Sequence, residues 1–296
     1  DFRPEVHDSD GLQLLLGNGE RVWRPLNNQT FTRNSSFLDR NPRGFGLLQR
    51  ERRFQNYQDL EANYHLRPSV WVEPVGDWGK GAVRLAELYA ADETVDNIAA
   101  FWVPEKAPKA GEELEFAYRL NWFIEAKKYE PPTARVVATH YAEFVLGQPD
   151  QRLFILDFDS RQLAALAATA KVEPVVTVGE GAELVHAYAC KNPHNANWRV
   201  GLTIRLKPAT LRAIENHTLV AQMNHTLAMT DRFTAPLRGV VGREGVLKGA
   251  ESFAAATVQY RTSILPAAER PVIELRCFLR SETEALSETW SYRWNP

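Results

Sequence analysis

The stretch "WRVGLTIRL" at 198–206 decides the fold class. Trp198, Val200, Leu202, Ile204 and Leu206 alternate with Arg199, Gly201, Thr203 and Arg205. Successive side chains of a strand point to opposite faces, so this period of two describes a strand with one buried side. "LEFAYRLNWFI" (114–124) reads the same way, with Leu114, Phe116, Tyr118, Leu120, Trp122 and Ile124 as its apolar set. "RLFILDFD" (152–159), "EPVVTV" (173–178), "ELVHAYACK" (183–191) and "VIELRCFL" (272–279) look alike. "RQLAALAAT" (161–169) is the best short helix, rich in Ala and Leu, with Ser160 as its N-cap. Strands do not alternate with helices along the chain. An all-β class with antiparallel sheets is therefore expected.

Composition bounds the function. The chain has 296 residues, 44% hydrophobic and 24% charged, which is a globular balance. Its 35 basic residues against 37 acidic ones, a formal charge of −2, leave no electrostatic footprint for nucleic acid or an anionic membrane. A neutral ligand such as a sugar fits that balance. No apolar run approaches the roughly 20 residues that span a bilayer. Cys190 and Cys277 make no disulfide framework; they could pair or be two separately buried thiols. The first residues, "DFRPEVHDSDGL", carry no basic-then-apolar signal.

A break falls at "EAKKYEPPTA" (125–134), where two prolines remove donors and end a strand. Five of the eight tryptophans precede it. This divides the chain into a domain at 1–126, a linker at 127–135 and a second β domain at 136–296. Residues 209–267, including "HTLVAQMNHTLAMTDRF", read as helix or irregular structure and have no place in that pattern.

Acids gather in two polar places, "VHDSDGL" with Asp8 and Asp10, and "ADETVDN" with Asp92, Glu93 and Asp96. Paired carboxylates suit glycosidic bond chemistry, in which one protonates the leaving oxygen and the other activates the attacking group. The same residues also make turns and cap backbone groups. Trp23, Tyr57, Tyr64, Trp71, Trp78 and Trp102 occur among Asn27, Asn28, Arg50, Asp59 and Arg67. Ring faces stack on sugar CH groups and polar forks bond hydroxyls. Several of Trp23, Tyr64, Arg67, Trp71 and Trp102 are thus expected to line one groove, although any single Trp taken alone reads better as part of a β core. The arginines of "GFGLLQRERRF" (44–54) are expected to meet acids or sugar hydroxyls. "GDWGKG" (76–81) lacks a phosphate-loop pattern and reads as a turn. His194, His217 and His225 lack metal-ligand spacing, and neither a metal nor a cofactor is expected.

"HDSDGL", "GNGE", "WRPLNN", "GFGLLQR", "YQDL…YHLRPSVWVEP", "GDWGKG", "DETVDNI" and the terminal "LSETWSYRW" together resemble the osmoregulated periplasmic glucan biosynthesis proteins G and D of bacteria. The match is dense over about 3–124, thins, and returns at 272–294. The resemblance implies a catalytic β-sandwich followed by an immunoglobulin-like β-sandwich, a periplasmic location and linear β-1,2-glucan as substrate. It implies an anomer-inverting, endo-acting glucanase or a related transglycosylase. Asp96 falls at the general-acid position and Asp8 at the general-base position. Tyr64 falls where the family contacts glucan, Glu93 lies beside the acid, and Asp10 joins the substrate-binding set. The family's mature proteins are longer at the N-terminus, so the catalytic sandwich is expected to lack its N-terminal part, and 209–267 has no counterpart. Neighbouring carboxylates oppose one another's ionisation, so Asp92 and Glu93 could keep Asp96 protonated, or could anchor the loop. A non-catalytic glucan-binding partner of a membrane glucosyltransferase is the alternative, and a homodimer is one possible assembly.

Overall fold

A computed structural model describes residues 10–26, 32–89, 97–125, 131–143, 145–215 and 271–295. Up to the break run β1 (Gly11–Leu15), β2 (Arg21–Pro25), β3 (Arg33–Arg40), β4 (Gly44–Leu48), β5 (Ser69–Val75), β6 (Lys80–Glu87), β7 (Ile98–Pro104) and β8 (Ala117–Phe123). A short helix α1 (Phe54–Tyr57) and a 3-10 turn (Tyr64–Leu66) lie between β4 and β5. After the break come β9 (Arg135–Ala142), β10 (Gln151–Asp159), helix α2 (Arg161–Ala165), β11 (Glu173–Val178) and β12 (Ala182–Lys191). β13 (Trp198–Leu206), β14 (Ile273–Arg280) and β15 (Thr289–Trp294) complete the set. The class is all-β, as the alternation requires.

The strands form three sheets. The largest has the order β11-β14-β15-β2-β1-β4-β5-β8, and sheets of β12-β13-β10-β9 and β3-β6-β7 accompany it. The described strand pairs are antiparallel except β15 with β2, which join in parallel through Thr289↔Val22 and Trp290↔Trp23. Strands from either side of 127–135 thus share one sheet.

One core is built from Leu12, Leu14, Val22, Phe45, Trp78, Val83 and Leu85, between the three-stranded sheet and the large one. The other gathers Phe154, Leu156, Trp198, Leu202, Leu275, Trp290 and their neighbours, with Trp23, Leu48 and Trp71 reaching in from the first half. β1 explains the connection. Leu12 and Leu14 enter the first core while Leu15, one residue out of step, packs on the second. A strand covered on both faces reads as a near-continuous apolar run, which is what "GLQLLL" is.

Two expectations are corrected here. β8 keeps its alternation, but Tyr118, Leu120 and Trp122 are exposed, with only the Tyr118 ring meeting Trp78, 6.2 Å between centroids, at the last strand of the large sheet. Cys277 is buried and Cys190 is exposed, and both are free thiols. Other readings hold. Ser160 Oγ accepts the Leu163 N–H at 3.0 Å and starts α2, although the helix stops at Ala165. Gly76 (φ 82°) and Gly79 (φ 72°) take the left-handed backbone of the β5–β6 turn, where a side chain would be strained. Of the unplaced 209–267 segment, 216–267 lies outside the described residues. Within its first residues Thr210 donates to the Gly181 carbonyl at 2.8 Å. No helix among the described residues is long and apolar enough to cross a membrane.

Candidate functional site

A cavity of about 670 Å³ opens between the large sheet and β9. That volume suits a small ligand or a short stretch of a larger one. Asp10, Gln13, Trp23, Arg50 and Arg52 line it from the first half, and Arg135 to Thr139 from the second.

Asp10 stands at the entrance to β1. Its backbone is pinned on both sides, since its N–H donates to the Leu48 carbonyl and its carbonyl accepts from Leu26, each at 2.9 Å. Its carboxylate is pinned too. Oδ2 accepts the backbone N–H groups of Arg50 and Glu51, and Oδ1 accepts the Tyr57 hydroxyl at 3.1 Å. Burial pushes the Asp10 pKa up, and these three donors pull against it without cancelling it. The group is therefore easier to protonate than a free aspartate.

Beneath it lies a polar seam between the halves. Arg50 makes a two-pronged pair with Glu288, Nη1 to Oε1 at 2.6 Å and Nη2 to Oε2 at 2.9 Å. Gln13 Nε2 donates to Glu288 Oε2 at 3.1 Å while Gln13 Oε1 accepts from Arg50 Nη2. The Val136 N–H donates to Glu288 Oε1 at 2.9 Å, and Arg50 Nη1 reaches the Val136 carbonyl at 3.1 Å. The Arg50 guanidinium lies 3.5 Å from the centroid of the Trp23 ring. The expectation that these arginines meet acids holds at Arg50, and at Arg53, which pairs with Glu51.

A second layer braces the first. The loop between β4 and β5 turns at Gln58 (φ 52°) and Asn63 (φ 51°), and Asp59 Oδ1 caps the N–H groups of Glu61 and Ala62. Gln49 Nε2 donates to the Tyr57 hydroxyl and to the Tyr64 carbonyl. Arg52 donates to the carbonyls of His65, Arg67 and Ile124, tying that loop to the end of β8.

Glu87, the last residue of β6, forms a buried ion pair with Arg24 of β2 at 3.2 Å. Arg24 sits opposite Leu12, two residues from Asp10. The connection from β6 to β7 is closed at its base by Leu88 N–H to the Asn97 carbonyl at 2.7 Å.

The sequence-derived residues separate into three groups. Asp8, Glu93 and Asp96 lie outside the described residues. Asp10 and Trp23 line the cavity, although the upper face of Trp23 is occupied by Arg50. Tyr64 is buried against Tyr57, ring centroids 6.0 Å apart, and the Arg67 guanidinium lies 5.6 Å from the Tyr64 ring centroid. Trp71 is buried in the second core and Trp102 packs 6.0 Å from Trp78 in the first. Neither tryptophan is among the cavity's lining residues, and where several of the five were expected along one groove, this basin holds Trp23 alone of that set. The sequence reading missed Gln13 and Glu288. A signal existed: Gln13 interrupts the apolar run of β1, and Glu288 precedes a strand rich in aromatics. Neither polar residue has a partner visible in its own neighbourhood of sequence.

Comparisons with known proteins agree on one family. The family model described as "Periplasmic glucan biosynthesis protein, MdoG" matches residues 1–234. A glucans biosynthesis protein G of Pseudomonas putida is 46% identical over 216 residues, covering 70% of this chain and 39% of the relative. The protein G of Pseudomonas aeruginosa is 42% identical over 247 residues, 79% of this chain and 46% of its own. A glucans biosynthesis protein D 1 of Ralstonia nicotianae is 39% identical over 300 residues, all of this chain and 44% of the relative. The chain spans less than half the length of these curated relatives.

Proposed function

The chain belongs to the periplasmic glucan biosynthesis protein MdoG family, and on that premise we propose that it processes β-1,2-glucan in the bacterial periplasm. The reaction is glycosidic cleavage or transfer within the chain, with inversion at the anomeric carbon. Asp96 is the general acid and Asp8 the general base, with Glu93 beside the acid. Asp10 serves glucan binding in the basin, and Tyr64 and Arg67 brace the loop beside it.

The observation that carries this reading is the clamped carboxyl of Asp10 at the rim of a polar basin. Asp10 is two residues from Asp8 in sequence, and Glu87, at the end of the strand that precedes the segment carrying Asp96, pairs with Arg24 opposite Leu12. General acid catalysis needs a carboxyl that keeps its proton near neutral pH, and burial among other acids is how proteins achieve it. Hydrolysis and transfer differ only in whether water or a sugar hydroxyl attacks.

The test is incubation with linear β-1,2-glucan, sizing of the products and assignment of the anomer first formed. Shorter glucans, or new linkages, with the inverted anomer are expected. Asp96→Asn keeps the shape but has no proton to give, so turnover should fall about 10²–10⁴-fold while glucan binding persists. Glucan binding without any product from the unaltered protein would support the non-catalytic partner of a membrane glucosyltransferase instead.

A further inference from the structure

Glu288 belongs to the terminal "LSETWSYRW" motif, to which the proposed chemistry gives no role. Its side chain is fully buried, and Gln13, Arg50 and Val136, which donate to it, come from distant parts of the chain. Its own backbone is also held, with its N–H donating to the Ala134 carbonyl at 2.8 Å. Arg50, gripped by both prongs and lying against Trp23, has little freedom left. The backbone N–H of Arg50 and that of its neighbour Glu51 are the two groups that hold Asp10 Oδ2.

We propose that Glu288 is a positioning residue for Asp10, acting through Arg50. The planar guanidinium engages a carboxylate with two parallel bonds and so fixes orientation as well as distance. Fixing the Arg50 side chain fixes the 50–51 peptide, and that peptide sets where the Asp10 carboxyl can lie. A buried ion pair adds little net stability, because desolvating both charges offsets their attraction. Geometric control is the better account of its presence at the cavity wall. The C-terminal strand is on this view part of the glucan site, although it is 278 positions from Asp10 in sequence. The inference rests on the reading of Asp10 as a group that meets glucan.

Glu288→Gln and Arg50→Lys, made in the full chain, test it through two readouts. Glu288→Gln removes the charge, and Arg50→Lys keeps a charge but loses the fork. Hydrogen exchange at the amides of residues 50 and 51 should accelerate about ten-fold while β13 keeps its protection. On linear β-1,2-glucan, kcat should fall roughly 10- to 100-fold with KM within about three-fold, as for a misplaced group. Glu288→Asp, which keeps the charge, should recover part of the loss. Unchanged exchange at 50 and 51 in the folded variants overturns the proposal. So does a loss of protection spread evenly over the chain with kcat unaltered per folded molecule. If Glu288→Gln does not fold, Arg50→Lys decides the question. If the unaltered protein does not turn over glucan but the amide effect is present, the positioning role stands and the proposed function fails.

Discussion

β13 and β8 have the same alternation of apolar and polar residues and end in opposite environments. In β13, Trp198, Val200, Leu202, Ile204 and Leu206 are buried almost completely. In β8, Tyr118, Leu120 and Trp122 remain 53%, 50% and 65% exposed. β13 lies between β12 and β10 with the other core beneath it, whereas β8 has one neighbour, β5, at the end of the large sheet. Periodicity reports which residues share a face. It does not report whether another layer covers that face.

The same substitution at the two sites breaks or confirms that comparison. Trp198→Ala should cost about 3–5 kcal/mol, since it opens a cavity and removes the Nε1–H bond to the Leu163 carbonyl at 3.0 Å. Denaturant unfolding measures it, and a cost under about 1 kcal/mol would mean that the core relaxes around the loss. Ser160→Ala, which uncaps the helix carrying Leu163, should cost about 1 kcal/mol in the same experiment. A null result there would separate α2 from the packing of β13. Trp122→Ala should lie within about ±0.5 kcal/mol, as for other surface positions. A loss comparable to that of Trp198→Ala would show that the β8 face is covered in solution.

The two thiols extend the comparison. Burial pushes Cys277 of β14 up to about 12 from an ordinary thiol value near 9. The folded protein thus keeps a proton that the unfolded chain loses. That contribution is fully present below about pH 9 and is lost as the pH rises toward 12. At pH 8 a thiol reagent should label Cys190 alone in the folded protein and both cysteines after unfolding. Labelling of Cys277 under native conditions would reveal opening of the large sheet.

The candidate site was legible in part. Asp10 stands out as half of a carboxylate pair, and the arginines of 44–54 as partners for acids or sugar hydroxyls. Which of the five aromatic and basic residues lines the basin was not legible. Trp23, Trp71 and Trp102 look alike in sequence, but a ring in a β protein packs equally well against a core or a ligand. Their strands place Trp71 and Trp102 inward, and Arg50 lies across Trp23.

By itself the sequence determined the strands, the turn at 76–81, the cap at Ser160 and the family, because each of these depends on residues close together or on a pattern read in order. Tertiary structure alone decided that β15 returns to lie beside β2, that one sheet serves two cores, and that Glu288 closes on Arg50. Those outcomes join groups up to 275 positions apart, as Gln13 and Glu288 are. A buried polar group must find a partner wherever the fold brings one, and local sequence does not specify which.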